Sequence, residues 1–276
     1  MANSAPQIQY RQELVKLFEQ RTALIRQSVT TEAVIKGNQA VFDVVGSNHA
    51  TATTRGVDGL IMARANYNSQ NTATLVEWHD LRKITSFNVF ESQGDQRKAM
   101  QESSLGVVNR KIDQDILGDL SAATLSTTVQ TASLSQVAKA KAILGNNEVP
   151  MDSSITCIIS PAFHGYLMQA KEFTSAQYVK TTPFSGQPIM FNWFGLNFIE
   201  HPNIVGKGTS SEQCYMYHKD AIGHAANVGG LSSVIGYDEE QDYSYARTTM
   251  FMGGKVLQNN GIVTMYHDGS SMVSAT

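Results

Sequence analysis

Apolar residues along this chain keep two different rhythms, and the rhythm changes mark the elements. Over residues 7–28, "QIQYRQELVKLFEQRTALIRQS", Ile8, Leu14, Leu17, Phe18, Leu24 and Ile25 recur mostly at helical spacings, with Arg11, Lys16, Arg21 and Arg26 between them. That period predicts an amphipathic helix. A second helix is predicted from Gln96 to Leu120, where Leu105, Val108, Ile112 and Ile116 step by three or four and Leu117 and Leu120 widen the stripe. Between the two, alternation of apolar and polar positions predicts strands near Ala40–Val45 and Thr72–Trp78. The stretch joining those strands is rich in Thr, Ala, Asn and Gly and poor in large apolar residues. Such a segment cannot build a core of its own. Bracketed by strands, it reads as a two-stranded ribbon projecting from the body, and an isolated ribbon needs something to lie on.

Beyond Leu120, "SAATLSTTVQTAS" is a linker of small residues. From Ser135 to about residue 235 helix-like and strand-like patterns alternate: "SQVAKAKAILG" as helix, "SSITCIIS" as strand, and "PAFHGYLMQAKEF" as a helix opened by Pro161. "QPIMFNWFGLNFIEHP" reads as strand and turn, and "QCYMYHKDAIGHAANVG" as a strand followed by a short helix. The alternation predicts an α/β layer. Near the C-terminus "YARTTMFMGGKVL" and "GIVTMYHD" flank "QNNG", and Asn-Gly between two β runs predicts a hairpin. "DGSSMVSAT" is a soft tail.

Composition then narrows the class. Charged residues make up only 16% of the chain, against about 25% in an average soluble protein. A monomer relies on a charged surface to stay apart from its neighbours, whereas a subunit that buries surface against copies of itself needs less charge. The net charge of −3 gives no bulk attraction to nucleic acid or to anionic membranes. No segment approaches the roughly 18 apolar residues that span a bilayer, and the N-terminal residues lack the apolar core of a secretory signal. The expectation is a chain made in the cytoplasm, with no membrane partner. Cys157 and Cys214 both sit in apolar strand-like runs and are expected as buried free thiols.

Candidate chemistry is sparse. "YMYHKDAIGHAANVGG", Tyr215–Gly230, concentrates His218, Lys219, Asp220 and His224. On a strand, Tyr215 and Tyr217 face one way and Met216 and His218 the other. Asp220 then falls where a helix N-cap belongs, with His224 on the first turns of that helix. Helix-start chemistry accounts for Asp220 without catalysis, and no G-x-S-x-G nucleophile motif accompanies the cluster. The seven histidines form no H-x-x-x-H, H-E-x-x-H or Cys/His knuckle, so no metal or other cofactor is expected. "GKGTS" at 206–210 imitates the end of a phosphate loop, but His201 stands where the required glycine belongs, and a turn is expected. Asp238, Glu239, Glu240 and Asp242 form an acidic run expected to be a solvated or interface-facing loop. Nothing in this set predicts an enzyme; low charge, a projecting ribbon and a leading helical arm predict a subunit.

The order of these elements resembles the major capsid proteins of tailed bacteriophages, with their Hong Kong 97-type fold. "YMYHKDAIGHA" resembles that family's strand of the form aromatic–x–H-K-D/E-A–apolar–G–x–A, and "ARTTMFMGGKVLQNNGIVTMYHD" resembles its closing strands. "TSFNVFESQGDQRKAMQESSLGVVNRKIDQDILGDL" is similar to its strand and long spine helix. The resemblance implies an α+β fold: an N-terminal arm over 1–34, an extended E-loop over 35–79, and the first part of a P-domain over 80–133 with its spine helix at 96–120. An A-domain over 134–240 and P-domain strands with a tail over 241–276 complete it. It implies a virion shell built from hexamers and pentamers of this chain. Its implied partners are a scaffolding protein, a portal, a decoration protein and non-specifically held double-stranded DNA. On the E-loop, Arg55, Asp58 and Arg64 are the expected rim charges of a subunit contact, and Leu60, Ile61 and Met62 its apolar knob.

Two departures bear on the mechanism. Some family members weld subunits through a Lys–Asn isopeptide bond whose lysine lies on the E-loop, but residues 37–82 contain no lysine, and Lys36 and Lys83 lie at the base. A shell without covalent cross-links is expected. Some members also carry a scaffolding domain of about a hundred residues before the arm. Only some thirty precede the E-loop here, so a separate scaffolding protein is expected. Three other readings compete: an encapsulin-type nanocompartment shell with the same fold, a small α/β hydrolase using His218 and Asp220, and a non-capsid virion component such as a decoration protein, which the length and the arm–loop–spine order fit poorly.

Overall fold

A computed structural model describes residues 22–31, 34–47, 49–85, 96–174, 190–226 and 232–271. The helix predicted over 7–28 lies mostly outside them. Its described end is a single 3-10 turn, Arg26–Ser28, with Ile25 and Val29 buried on either side.

The ribbon is present. Strands β1 (Val34–Lys36), β2 (Gln39–Gly46) and β3 (Tyr67–Thr74) pair antiparallel in the order β1-β2-β3, with Ala40 opposite Ala73 and Gly46 opposite Tyr67. The strand predicted near Thr72–Trp78 is in fact the junction of two: β3 stops at Thr74, and β4 runs Val76–Thr85. The Leu75 N–H donates to the carbonyl of Asn38 in the turn between β1 and β2, at 2.8 Å, one last rung in the β2–β3 register beyond the end of β3.

Helix α1 (Gln96–Leu120) has the predicted bounds. Its buried row is Ser104, Val108, Ile112, Ile116 and Leu120, with Asp113 and Leu117 beside it; Leu105, predicted to lie on the stripe, is exposed. Steps of four carry the row to Ser104, one position before the leucine.

The small-residue linker lies alongside the last strand, with bridges from Ser126 and Gln130 to Thr264 and His267. Helix α2 (Leu134–Asn146) follows, capped by the Ser133 hydroxyl, which accepts from the Gln136 N–H. Then come β5 (Ile155–Ile159), buried along its whole length, and α3 (Pro161–Gln169), whose Pro161 sits in the first turn behind a Ser160 cap. The short α4 (Lys171–Thr174), the hairpin of β6 (Met190–Trp193) and β7 (Leu196–Glu200), and β8 (Glu212–His218) continue the predicted alternation. The "GKGTS" run forms a turn, as expected.

One predicted helix is a strand. After a 3-10 turn at Lys219–Ala221 the chain enters β9 (Ile222–Ala226), five buried residues paired with a later strand. The segment offers a helix no charged outer face and places Gly223 in its interior, a poor choice for a helix. As a strand, Gly223 is needed: a Cβ there would lie 2.6 Å from the Phe42 ring of β2. Asp220 accordingly caps no helix. The cap at this corner is His218, whose Nδ1 accepts from the Asp220 N–H at 3.2 Å.

β10 (Ser232–Asp238) and β11 (Tyr243–Val256) form a hairpin with the acidic run at its tip. β11 does not pair with β12 (Ile262–His267), so the hairpin predicted at "QNNG" is absent. Asn259–Gly261 is a 3-10 turn at which the chain changes sheets. β9 pairs with β11 and β8 with β12, so both chains turn the corner side by side, the N–H groups of Leu257 and Gln258 donating to the Ala221 carbonyl at 2.9 and 3.1 Å. β11 pairs with β10 and β9, and β12 with β8, so neither strand flanking the turn pairs with the other.

The chain divides into two compact units. One draws on Glu77–Lys111 and Val228–Met250 and contains the sheet order β10-β11-β4. Residues 228–250, which the sequence reading divides at 240, fall together in it. There Lys83 sits over the Tyr243 ring and Lys111 over that of Trp78, 4.3 and 3.8 Å from the ring centres. The other unit draws on Leu24–Val76, Ile112–Asn227 and Phe251–Thr276. Its core is the mixed sheet β12-β8-β5-β7-β6, in which only β5 and β7 run parallel. Cys157 and Cys214 are buried free thiols on β5 and β8, and burial pushes the Cys214 thiol up to about 12.

Candidate subunit-contact site

The ribbon is anchored at one end and bare at the other. At its base Ala40, Phe42 and Ala73 pack with Ala225, and with the partly buried Leu75 and Leu257. The base also passes close to β11, where a Cβ on Gly253 would stand 2.3 Å from the Thr74 carbonyl oxygen. Farther out the ladder loses its cover: Val45 is 76% exposed and Tyr67 50%.

Past Gly46 the loop 49–66 is exposed at every described position. Its order is local. The Gly56 N–H donates to the Leu60 carbonyl at 3.0 Å and the Gly59 N–H to the Gly56 carbonyl at 2.9 Å, a tight turn with Gly59 at φ +74°. A side chain at that φ is disfavoured, so glycine suits the turn. The turn brings Arg55, Asp58, Leu60, Ile61, Met62 and Arg64 onto one short excursion, all of them exposed. Leu60, Ile61 and Met62 are 70%, 68% and 77% exposed. Val57, which the sequence reading passes over, is fully exposed beside them. Its signal was present in the run "GVDGLIM", a β-branched residue one turn before the knob. A scattered exposed leucine needs no explanation, but four large apolar side chains on one uncovered loop do.

The loop touches its own body at His49, whose Nδ1 lies 2.5 Å from the Glu148 carboxylate after α2. Both residues sit at positive φ, 58° and 57°. Both are more than half exposed, so water screens the pair and it fixes a direction more than it adds stability.

Among the described residues, the cluster around His218 is not assembled as a hydrolytic site. His218 is buried, with Nδ1 occupied by the Asp220 amide and Nε2 3.3 Å from the Asp152 carboxylate. Asp220 Oδ2 is 3.7 Å from Nδ1, beyond hydrogen-bond reach, and Asp220 Oδ1 accepts from Thr30. Both ring nitrogens therefore face an acid or a backbone amide, and among the described residues no hydroxyl or thiol is hydrogen-bonded to either. Asp152 is held below the ordinary carboxylate range by the Ser154 amide first, with His218 adding to it.

Sequence reasoning missed a second polar cluster, on α1. Asp113 is fully buried and accepts from the backbone N–H groups of Leu24 and Ile25 at 3.1 and 3.2 Å and from His201 Nε2 at 3.2 Å. His201 Nδ1 accepts from the Asn203 N–H, which leaves the ring proton on Nε2, pointing at Asp113. Farther along the helix, burial raises the Asp119 carboxyl to about 7, reinforced by Asp115 and opposed by Lys255.

The model of a family described as phage capsid protein matches residues 2–268. Among solved structures, a chain of Mycobacterium phage Che8 superposes with a TM-score of 0.73 at 16% identity, covering 96% of this chain and 98% of that one. The capsid of Ralstonia phage GP4 gives 0.69 at 11% identity, covering 100% and 99%. The capsid of an empty GTA particle gives 0.66 at 13%, covering 93% of each. Nothing among curated proteins matches.

Proposed function

The chain belongs to the phage capsid protein family and is a major capsid protein of the virion head shell with a Hong Kong 97-type fold, and on that premise we propose that its projecting loop is the part that joins one subunit to the next. The observation that carries this is the bare apolar tip: Val57, Leu60, Ile61 and Met62 exposed on a segment with no core of its own. The tip lies across the P-domain of a neighbouring subunit and gains its order there. Leu60, Ile61 and Met62 bury, and Arg55, Asp58 and Arg64 supply charges at the rim. In this assignment residues 1–34 are the arm, 35–79 the E-loop, 80–133 and 241–276 the P-domain with α1 as its spine, and 134–240 the A-domain.

One such contact is small, but each subunit both gives a loop and receives one, so multivalency multiplies it. Contacts of this head-to-tail kind close into hexamers and pentamers, and from those into a shell. The contact is non-covalent, because residues 37–82 hold no lysine. The chain performs no catalysis, and it assembles in the host cytoplasm with a separate scaffolding protein, a portal and a decoration protein, around non-specifically held double-stranded DNA. Family membership favours this over an encapsulin-type compartment, and the surroundings of His218, with Nδ1 taken by the Asp220 amide and Nε2 facing the Asp152 carboxylate, count against the hydrolase reading.

Replacing Leu60, Ile61 and Met62 together with serine tests the proposal. At about 25 cal/mol per Å² the loss is a few kcal/mol per contact, repeated at every subunit. Electron microscopy is expected to find no shells, or fragile ones, while the free subunit keeps its thermal stability. Normal shells from the triple variant would refute the contact.

A further inference from the structure

Residues 24–30 lie along the larger unit as a strap. Leu24 and Ile25 donate their amides to Asp113 on α1, and Ile25 and Val29 are buried at 0% and 1% exposure. Ser28 shares a 2.5 Å hydrogen bond with the Tyr217 hydroxyl of β8. At its far end Thr30 adds to the edge of β9: its N–H donates to the Ile222 carbonyl at 3.1 Å, and its carbonyl accepts the His224 N–H at 2.9 Å. His224 therefore lies where strap, β9 and α1 meet. Its side chain is wholly buried, and neither ring nitrogen has a hydrogen bond. Its nearest acid, Asp115 on α1, stands 3.7 Å from Nε2, outside hydrogen-bond range.

We propose that the strap is an acid-released latch with His224 as its sensor: charging that imidazole is incompatible with the closed strap, so acidification lifts residues 24–30 from β9 and α1.

The surroundings set the direction. Burial holds the ring neutral down to about 4, against 6.5 for an ordinary histidine; Arg26 on the strap adds to the effect, and Asp113 on α1 opposes it. Asp115, within ion-pair distance of Nε2 at 3.7 Å, is partly open to water, so its pull on a charged ring is screened and burial outweighs it. His201 is engaged by Asp113. From β11 the residue opposite His224 is Gly254, which brings no charge, and the next, Lys255, acts on Asp119. Once the strap is open, the ring reaches water and titrates normally. Closed chain thus binds fewer protons than open chain between about pH 4 and 6.5, and closure is lost as pH falls through that window. The opening equilibrium rises by up to about 300-fold in acid, and about 20-fold of that develops between pH 7 and pH 5.

Amide hydrogen exchange on the full-length free subunit tests this, with rates corrected for the intrinsic effect of pH. Expected is a loss of protection of about 20-fold at Leu24, Ile25 and Thr30 from pH 7 to pH 5, with the β5 amides Cys157–Ile159 unchanged. In His224→Gln the strap should keep the same protection at both pH values. Asp113→Asn should weaken the strap at every pH yet leave the acid response in place. The proposal is overturned by equal strap protection at both pH values in the native chain, by an undiminished acid response in His224→Gln, or by parallel loosening of β5. Should His224→Gln not fold, exchange of the His224 ring C2 hydrogen in the native chain decides. A midpoint well below 6.5 supports the latch, and one near 6.5 overturns it.

Discussion

Burial at Asp119 has a measurable consequence for stability. The carboxyl titrates near 7 in the folded chain and near 3.8 when unfolded. Between those values the folded state holds a proton that the unfolded state lacks. The associated stability is therefore full below about pH 4 and is lost as pH rises through 7. Asn has the same shape and no charge, so Asp119→Asn should be more stable than the native chain at pH 8, by about 1–2 kcal/mol after allowing for the group's contact with water. Urea unfolding at pH 8 and pH 4 checks this: the advantage should shrink toward zero at pH 4, and an advantage equal at both would show that charge is not the cause. His218→Ala belongs to the same scale. It frees the Asp220 amide it caps and should cost about 1 kcal/mol in the same assay. At this scale the sequence was least legible. Asp113 interrupts an apolar stripe with no sign in the period that it would anchor Leu24, Ile25 and His201, because burial of a single acid depends on what packs over it.

At the scale of elements, legibility followed locality. The long helix and the β2–β3 ribbon were readable because each repeats its own period over many residues. β9 was not, since its identity as a strand rests on β11, almost thirty residues away in the chain, and on the Phe42 ring that only Gly223 admits. The Asn-Gly turn misled for a related reason: it sits between two real strands, each of which has a better partner elsewhere. The ribbon base gives a direct test of how tightly the loop's direction is set. Gly253→Ala would push a methyl group against the Thr74 carbonyl. It is backbone on both sides and has little room to yield, so a loss of about 1–3 kcal/mol is expected in thermal unfolding. A neutral substitution would mean that the ribbon base is free to shift.

For the whole molecule, the exposed tip was legible before its geometry was known, because composition alone marked a segment unable to fold on its own. Val57 was the part missed. A shell held only by such contacts should dissociate completely in hot denaturant under reducing conditions and run as single chains on a gel; a ladder of multimers would show a covalent route that the missing lysines rule against. The most direct test compares hydrogen exchange at amides 49–66 in free subunits and in assembled shells. The subunit should exchange there almost as fast as an unstructured peptide, since only a few local hydrogen bonds tie the tip. The shell should protect the same amides strongly, most of all around Leu60–Met62. Equal protection in both states would mean that the loop settles on its own subunit, and the contact proposed between neighbours would be wrong.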